Sequence, residues 1–360
     1  MNTEPANTQS SLEHAFHLFN QGEYRMADRV CDTVLEQSET DTPSRLFHLK
    51  GKIAAQDQDS MKAMAWYKKA LQMEPSDHAC RQDFAHLLLH IADKALTQNR
   101  DEEARQLYRT ALQINPMSDE AVQSLVKLEM KGENYLERLA QLHQLLSPKT
   151  YLEIGVSVGE SLCRVQAETD AVAIDPQPAV NRPIAASCDF FNLTSDAFFQ
   201  QHDLNEILKN RPLDMAFIDG LHVYVQVLKD FIHVERYANP NTVICIHDCL
   251  PLDPVTSNPN RISGFWTGDV WKLIPTLMHF RPDLEITMVP TAPSGLAIVR
   301  NANPHRYEEM ANTYGQMVEQ FNHLSFSDYE QSWSQRFNTI KNTWAEIASH
   351  LSAEPKPVDG

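Results

Sequence analysis

Residues 150–161 read TYLEIGVSVGES. The first seven, TYLEIGV (150–156), are the apolar, β-branched mixture of a buried strand. Small residues follow, and a helix is expected to begin near Glu160. Small residues let a ligand approach the backbone closely, and a helix N-terminus offers unpaired N–H groups. Two nucleotide-loop readings fail on the residues. A Walker loop needs Gly-Lys-Ser/Thr, but Glu160 follows Gly159. A hydride-cofactor fingerprint needs glycine two and five places after Gly155, where Ser157 and Glu160 stand; an acid at 160 would meet a pyrophosphate badly.

Downstream, the same kind of apolar run recurs as AVAIDP (171–176), DMAFIDG (214–220), TVICIHD (242–248), LEITMV (284–289) and GLAIVR (295–300), with helix-like stretches such as 223–237 and 270–280 between them. That alternation predicts an α/β fold: a doubly wound, mostly parallel sheet covered by helices, with ligands at the carboxyl ends of the strands. The last two runs lie close enough to form an antiparallel hairpin.

Upstream, the pattern is a helical repeat. Ala63, Tyr67, Ala70 and Pro75 share their spacing with Ala104, Tyr108, Ala111 and Pro116, and Ala27, Cys31 and Val34 hold the same offsets. The periods are 36 and 41 residues, with a lengthened helix expected over 80–98 and a half-repeat over 121–146. Small residues suit close helix pairs, and each proline stops a helix. Trp66, Tyr67, Tyr108 and Leu112 are read as core. The expected organisation is an unstructured 1–11, helical repeats over 12–146, the α/β domain over 147–301, C-terminal helices over 302–350 and an unstructured 351–360.

Composition narrows the function. The chain has 360 residues and a net charge of −17, about −6 over residues 1–148 and −11 beyond. A nucleic-acid or anionic-membrane partner needs a basic face, and neither half shows one. No apolar run reaches the ~18 residues of a membrane span, and the first residues, MNTEPANTQSS, are not a secretory signal. The six scattered cysteines suit reduced, buried thiols and a cytoplasmic location.

Residues 27–116, with Gly51, resemble the tetratricopeptide repeat. That likeness implies a surface for a protein partner or for self-association, or a plain scaffold. The acid-x-Gly-x-small-x-Gly of Glu153–Gly159 resembles motif I of the class I S-adenosylmethionine-dependent methyltransferases, over about residues 145–300. The likeness implies S-adenosylmethionine as cofactor, held by Glu153, Gly155, Ser157, Gly159, Ser161, Asp175 (on the ribose hydroxyls), Asp189 (near the adenine) and Asp219. FIDGLHVYVQVLKDF, VICIHDCLP and WTGDVWK look like a bacterial subgroup that modifies sugars and other small hydroxylated metabolites; Ser157 and Val225 depart from its commoner residues. The implied function is O-methylation of a small hydroxylated acceptor such as a sugar or glycan precursor. The rivals are a non-catalytic cofactor binder serving a repeat-mediated interaction module, a nitrogen or protein methyltransferase, and an iron-dependent hydroxylase.

His222, His247, Asp219 and Asp248 converge at the ends of the fourth and fifth strands, and either histidine can act as general base. Asp219, His247 and Asp248 can alternatively hold a divalent metal ion, the imidazole favouring a transition metal over magnesium. The long 252–272 loop offers Trp266, Trp271 and Arg261 as acceptor contacts. Asp230 is read as a solvated charge on a helix face.

Overall fold

The computed structural model describes the backbone of residues 6–37 and 42–352, and its chain divides into two compact units, Met1–Leu125 and Val126–Gly360. Helix α1 (Ala6–Asn20) begins inside the span expected to be unstructured; the remainder of that span, 1–5, and residues 353–360 of the expected tail lie outside the described residues.

In the first unit, α1 is followed by α2 (Tyr24–Gln37), α3 (Ser44–Gln56), α4 (Ser60–Met73), α5 (His78–Thr97) and α6 (Asp101–Ile114), with α7 (Asp119–Glu129) crossing the division. The repeated small and aromatic positions are the core: Ala27, Cys31, Ala63, Tyr67, Ala104 and Tyr108 are all buried. Gly51 is required because a Cβ there would come within 2.7 Å of the Tyr67 ring. Asp59 and Asp77 cap α4 and α5 by accepting the Lys62 and Cys80 backbone N–H groups.

The second unit opens with the end of α7 and α8 (Tyr135–Leu146); the expected boundary at 146/147 thus lies 21 residues beyond the division of the chain. Seven strands follow: β1 (Thr150–Ile154), β2 (Asp170–Ile174), β3 (Ser187–Phe191), β4 (Met215–Ile218), β5 (Val243–His247), β6 (Glu285–Val289) and β7 (Leu296–Arg300). They form one sheet in the order β3-β2-β1-β4-β5-β7-β6, with β1 to β5 parallel and β7 antiparallel to both neighbours. The chain leaves β1 towards β2 and later returns to β4 on the other side, which opens the crevice of a topological switch point. The remaining helices are α9 (Ser195–Gln201), α10 (Leu204–Ile207), α11 (Tyr224–Glu235), α12 (Leu273–Phe280), α13 (Tyr307–Phe321), α14 (Phe326–Asp328) and α15 (Trp344–Ser352).

Three local expectations are corrected. The link after motif I is a single 3-10 turn, Leu162–Arg164, not an α-helix. Residues 162–169 must return the length of a five-residue strand, roughly 17 Å, and eight residues of α-helix would span only about 12 Å. The C-terminal helices do not fill 302–350: between α14 and α15, residues 338–340 instead run beside β6, where Met288 exchanges backbone hydrogen bonds with Asn338 and Ile340. Asp230 is buried, with Oδ1 accepting hydrogen bonds from Ser195 and Gln226; burial pushes its carboxyl up to about 6.

Candidate active site

A cavity of 730 Å³ opens at the carboxyl ends of β1, β2, β4 and β5. Its floor begins at Gly155, where the backbone turns with φ +89° and a Cβ would sit 2.0 Å from the Asp219 carbonyl oxygen. Only glycine lets the ends of β1 and β4 approach so closely. Ser157 (φ +49°) and Gly159 (φ +82°) continue the turn.

The turn is anchored by Asp175 at the end of β2. Its Oδ2 accepts the N–H groups of Val156 and Ser157, both at 2.8 Å, and Oδ1 accepts that of Gln177 at 2.7 Å. A carboxylate has about four acceptor positions, so one remains for a ligand in the cavity. Ser157 and Ser161 also line the cavity, but the Ser161 hydroxyl is turned inward to Glu153.

Three of the residues expected at the cofactor do not reach the cavity. Glu153 is wholly buried beneath it and accepts hydrogen bonds from Tyr151 (2.7 Å) and Ser161 (2.6 Å). Burial pushes its carboxyl up to about 8. Gly159 faces Val180 instead, 3.1 Å from its would-be Cβ. Asp189 is exposed at the middle of the edge strand β3, too far back from the strand end to line the cavity. The carboxylate the cavity meets beyond β3 is Asp196, held by Gln226 Nε2 at 3.0 Å.

On the β4–β5 side the four expected residues do meet. Asp219 Oδ1 lies 3.3 Å from His247 Nδ1 and 3.5 Å from His222 Nε2. His222 Nδ1 lies 2.8 Å from the Trp266 carbonyl, which places its proton there. Asp248 Oδ1 accepts from Ser294, while Oδ2 is buried without a hydrogen-bond partner; it is 3.1 Å from His222 Nδ1, whose proton is committed to Trp266. Asp248 also holds a left-handed φ of +61°, a strained state for a non-glycine residue.

Charge compensates charge in this cluster. Burial alone would push His222 down, but Asp248 and Asp219 raise it to about 9. His247 is raised by the same two carboxylates against the same penalty. Asp219 is held well below the usual carboxylate range, its burial overcome by His247 and His222. Burial raises Asp248.

Asp219, His247 and Asp248 offer ligand atoms within 4.8 Å of one another. Together with the orphaned Asp248 Oδ2, that donor set fits a divalent ion of mixed oxygen and nitrogen preference.

Of the loop residues, Trp266 and Arg261 line the cavity; Trp266 stacks on His222 with centroids 5.3 Å apart, and its indole N–H donates to the Asn258 carbonyl. Trp271 does not: it is 1% exposed and packs edge-on to Tyr329. A bulky aromatic so buried ties the loop to the core rather than touching an acceptor. The sequence reading missed Tyr135, whose ring lies 3.9 Å from that of His247 and walls one side of the cavity. It also missed Gln226 and Asp196.

Residues 152–249 match the family model described as a methyltransferase domain, and residues 44–77 match a tetratricopeptide repeat. No curated protein sequence matches the chain. Among solved structures, the cofactor-bound protein Rv0187 from MTB is similar at 15% identity, covering 51% of this chain and 89% of its own, with a TM-score of 0.38. An O-methyltransferase from Bacillus cereus in complex with SAH is similar at 16% identity, covering 54% and 97%, with a TM-score of 0.35. By these matches residues 152–249 are similar to a methyltransferase domain and residues 44–77 to a tetratricopeptide repeat.

Proposed function

We propose that the protein transfers the methyl group of S-adenosylmethionine to a hydroxyl oxygen of a small acceptor such as a sugar or glycan precursor, in the cytoplasm. One observation carries the oxygen assignment: the cavity that holds Asp175 at one end brings two carboxylate-paired histidines to the other. An alcohol must lose its proton as the new bond forms, so it needs a base that a neutral amine does not.

In this reading Asp175 accepts a ribose hydroxyl, and the turn at Gly155–Ser157 leaves room for the rest of the donor. The acceptor oxygen attacks the methyl carbon in line; the carbon–sulfur bond breaks and S-adenosylhomocysteine leaves. The hydroxyl proton passes to Nε2 of the neutral fraction of His222, which grows as pH rises towards 9, while its Nδ1–H remains on the Trp266 carbonyl. Asp219 stabilises the imidazolium that results. Asp248, His247 and Asp219 would hold a divalent ion, which would lower the pKa of an acceptor hydroxyl. Alignment of donor and acceptor supplies the largest share of the rate, several kcal/mol. The loop carrying Trp266 and Arg261 forms the acceptor wall, and the 147–301 segment is the catalytic domain.

The test is methyl transfer from labelled S-adenosylmethionine to a panel of alcohols, phenols, amines and peptides, with and without divalent metal. Label in alkali-stable ethers supports the proposal. Label confined to amines or peptides, or donor binding with no transfer to any class, overturns it.

A further inference from the structure

Helix α3 and the start of α5 bring together a histidine, a carboxylate and a thiol that methyl transfer does not use. His48, Asp77 and Cys80 each offer one ligand atom, and these lie within 4.8 Å of one another. His48 is 7% exposed and Cys80 is fully buried.

Their orientation is set by neighbours. Asp77 caps α5 through Oδ1, which accepts the Cys80 N–H at 3.0 Å. Its Oδ2 then lies 3.7 Å from His48 Nδ1. On the other side of the ring, Nε2 is 2.8 Å from Asp83 Oδ2, and that carboxylate is itself 3.3 Å from Lys52 Nζ. A carboxylate behind Nε2 fixes the ring proton there and leaves the Nδ1 lone pair pointing at Asp77. Two acceptors thus face each other across a gap too long for a hydrogen bond. The gap is close to the edge of a tetrahedron around zinc, roughly 3.4 Å for ligands at ~2.0–2.1 Å. A carboxylate bonded to the far nitrogen is also how metal-bound imidazoles are oriented. The Cys80 thiol makes only a long, 3.9 Å approach to the Tyr67 carbonyl.

We propose that His48, Asp77 and Cys80 bind a divalent transition-metal ion of the zinc class, through Nδ1, a carboxylate oxygen and the thiolate, with water in the fourth position. Imidazole and thiolate together select such an ion against magnesium and calcium. Binding releases the thiol proton to solvent, and the ion then ties α3 to the first turn of α5, so that metal affinity becomes stability of the repeats.

The test is cobalt titration of the full chain after metal removal. Cobalt at this site gives a thiolate-to-metal charge-transfer band in the near ultraviolet, and added zinc abolishes it. The Asp219–His247–Asp248 cluster contains no thiol, so a metal there is silent in that band, and Asp248→Asn leaves the band unchanged. Cys80→Ser removes it, with the fold checked by far-ultraviolet circular dichroism. Asp83→Asn keeps every ligand and weakens cobalt binding by on the order of 10-fold or more. No band at millimolar cobalt, a band that survives Cys80→Ser, or unchanged affinity in Asp83→Asn overturns the proposal.

Discussion

Glu153 gives the sharpest prediction because its role in the structure departs from the one its motif implies. It is fully buried, and its carboxyl rises from the ordinary 4.5 to about 8 through burial. In the unfolded chain it ionises near 4.5. Between those two values the folded state holds a proton that the unfolded state has lost, so stability falls as pH rises. The favourable contribution is complete below pH 4.5 and gone above about 8. A difference of 3.5 between the two values, at about 1.36 kcal/mol each, makes the full loss about 5 kcal/mol. Glu153→Gln keeps the shape of the protonated acid and cannot ionise. Its amide can satisfy the Tyr151 and Ser161 hydroxyls, which donate or accept as needed. The variant should match wild type within about 1 kcal/mol at pH 5 and exceed it by about 4 kcal/mol at pH 9. Urea unfolding followed by tryptophan fluorescence reads this out, since four of the five tryptophans (266, 271, 333 and 344) lie in the second unit. Parallel pH dependence in the two proteins, or a variant less stable than wild type at pH 9, would refute the reasoning.

Gly155→Ala forces a Cβ onto the Asp219 carbonyl at 2.0 Å and strains a left-handed residue; the chain should lose about 2–4 kcal/mol of stability and its affinity for S-adenosylhomocysteine, measured by denaturation and calorimetry. His222→Gln should lower turnover by roughly 100-fold or more while leaving S-adenosylhomocysteine affinity within about threefold, because the ring acts on the acceptor proton; equal losses in both would place it at the donor instead. Trp271→Ala should cost about 3–5 kcal/mol in thermal or urea unfolding, whereas Trp266→Ala should raise the acceptor KM with little change in stability; the opposite pattern would reverse the two roles.

Much of this arrangement was legible in the residues. Alternating apolar runs gave the strands, and the AVAIDP run put Asp175 at the end of one of them, where the parallel register Ile154–Ile174 aligns it with the Gly155 turn. His247, Asp248 and Asp219 were legible for the same reason. Glu153 was misread because a strand buried on both faces shows no polar side: the alternation that sends Leu152 and Ile154 to one core sends Tyr151 and Glu153 to the other. Asp189 was misplaced because β3 extends two residues past it. Tyr135 carried no signal at all. It reaches His247 because its backbone N–H donates to Ala292 and because Asn342 binds the carbonyls of Lys131 and Glu133, contacts between residues some 150 to 210 positions apart. Trp271 shows the converse: an aromatic in a polar loop looks like a ligand contact until its burial is known.

The central claim is that one donor molecule occupies the crevice between the Gly155 turn and Asp175. Calorimetric titration with S-adenosylhomocysteine tests it most directly. Wild type should saturate at one molecule per chain with micromolar affinity, and Asp175→Asn should weaken binding by about 10-fold or more, the loss expected when the one charge-assisted hydrogen bond that the carboxylate accepts from the ligand, ~1.5–3 kcal/mol, is removed. No saturation at millimolar ligand, or equal affinity in the two proteins, would contradict the account.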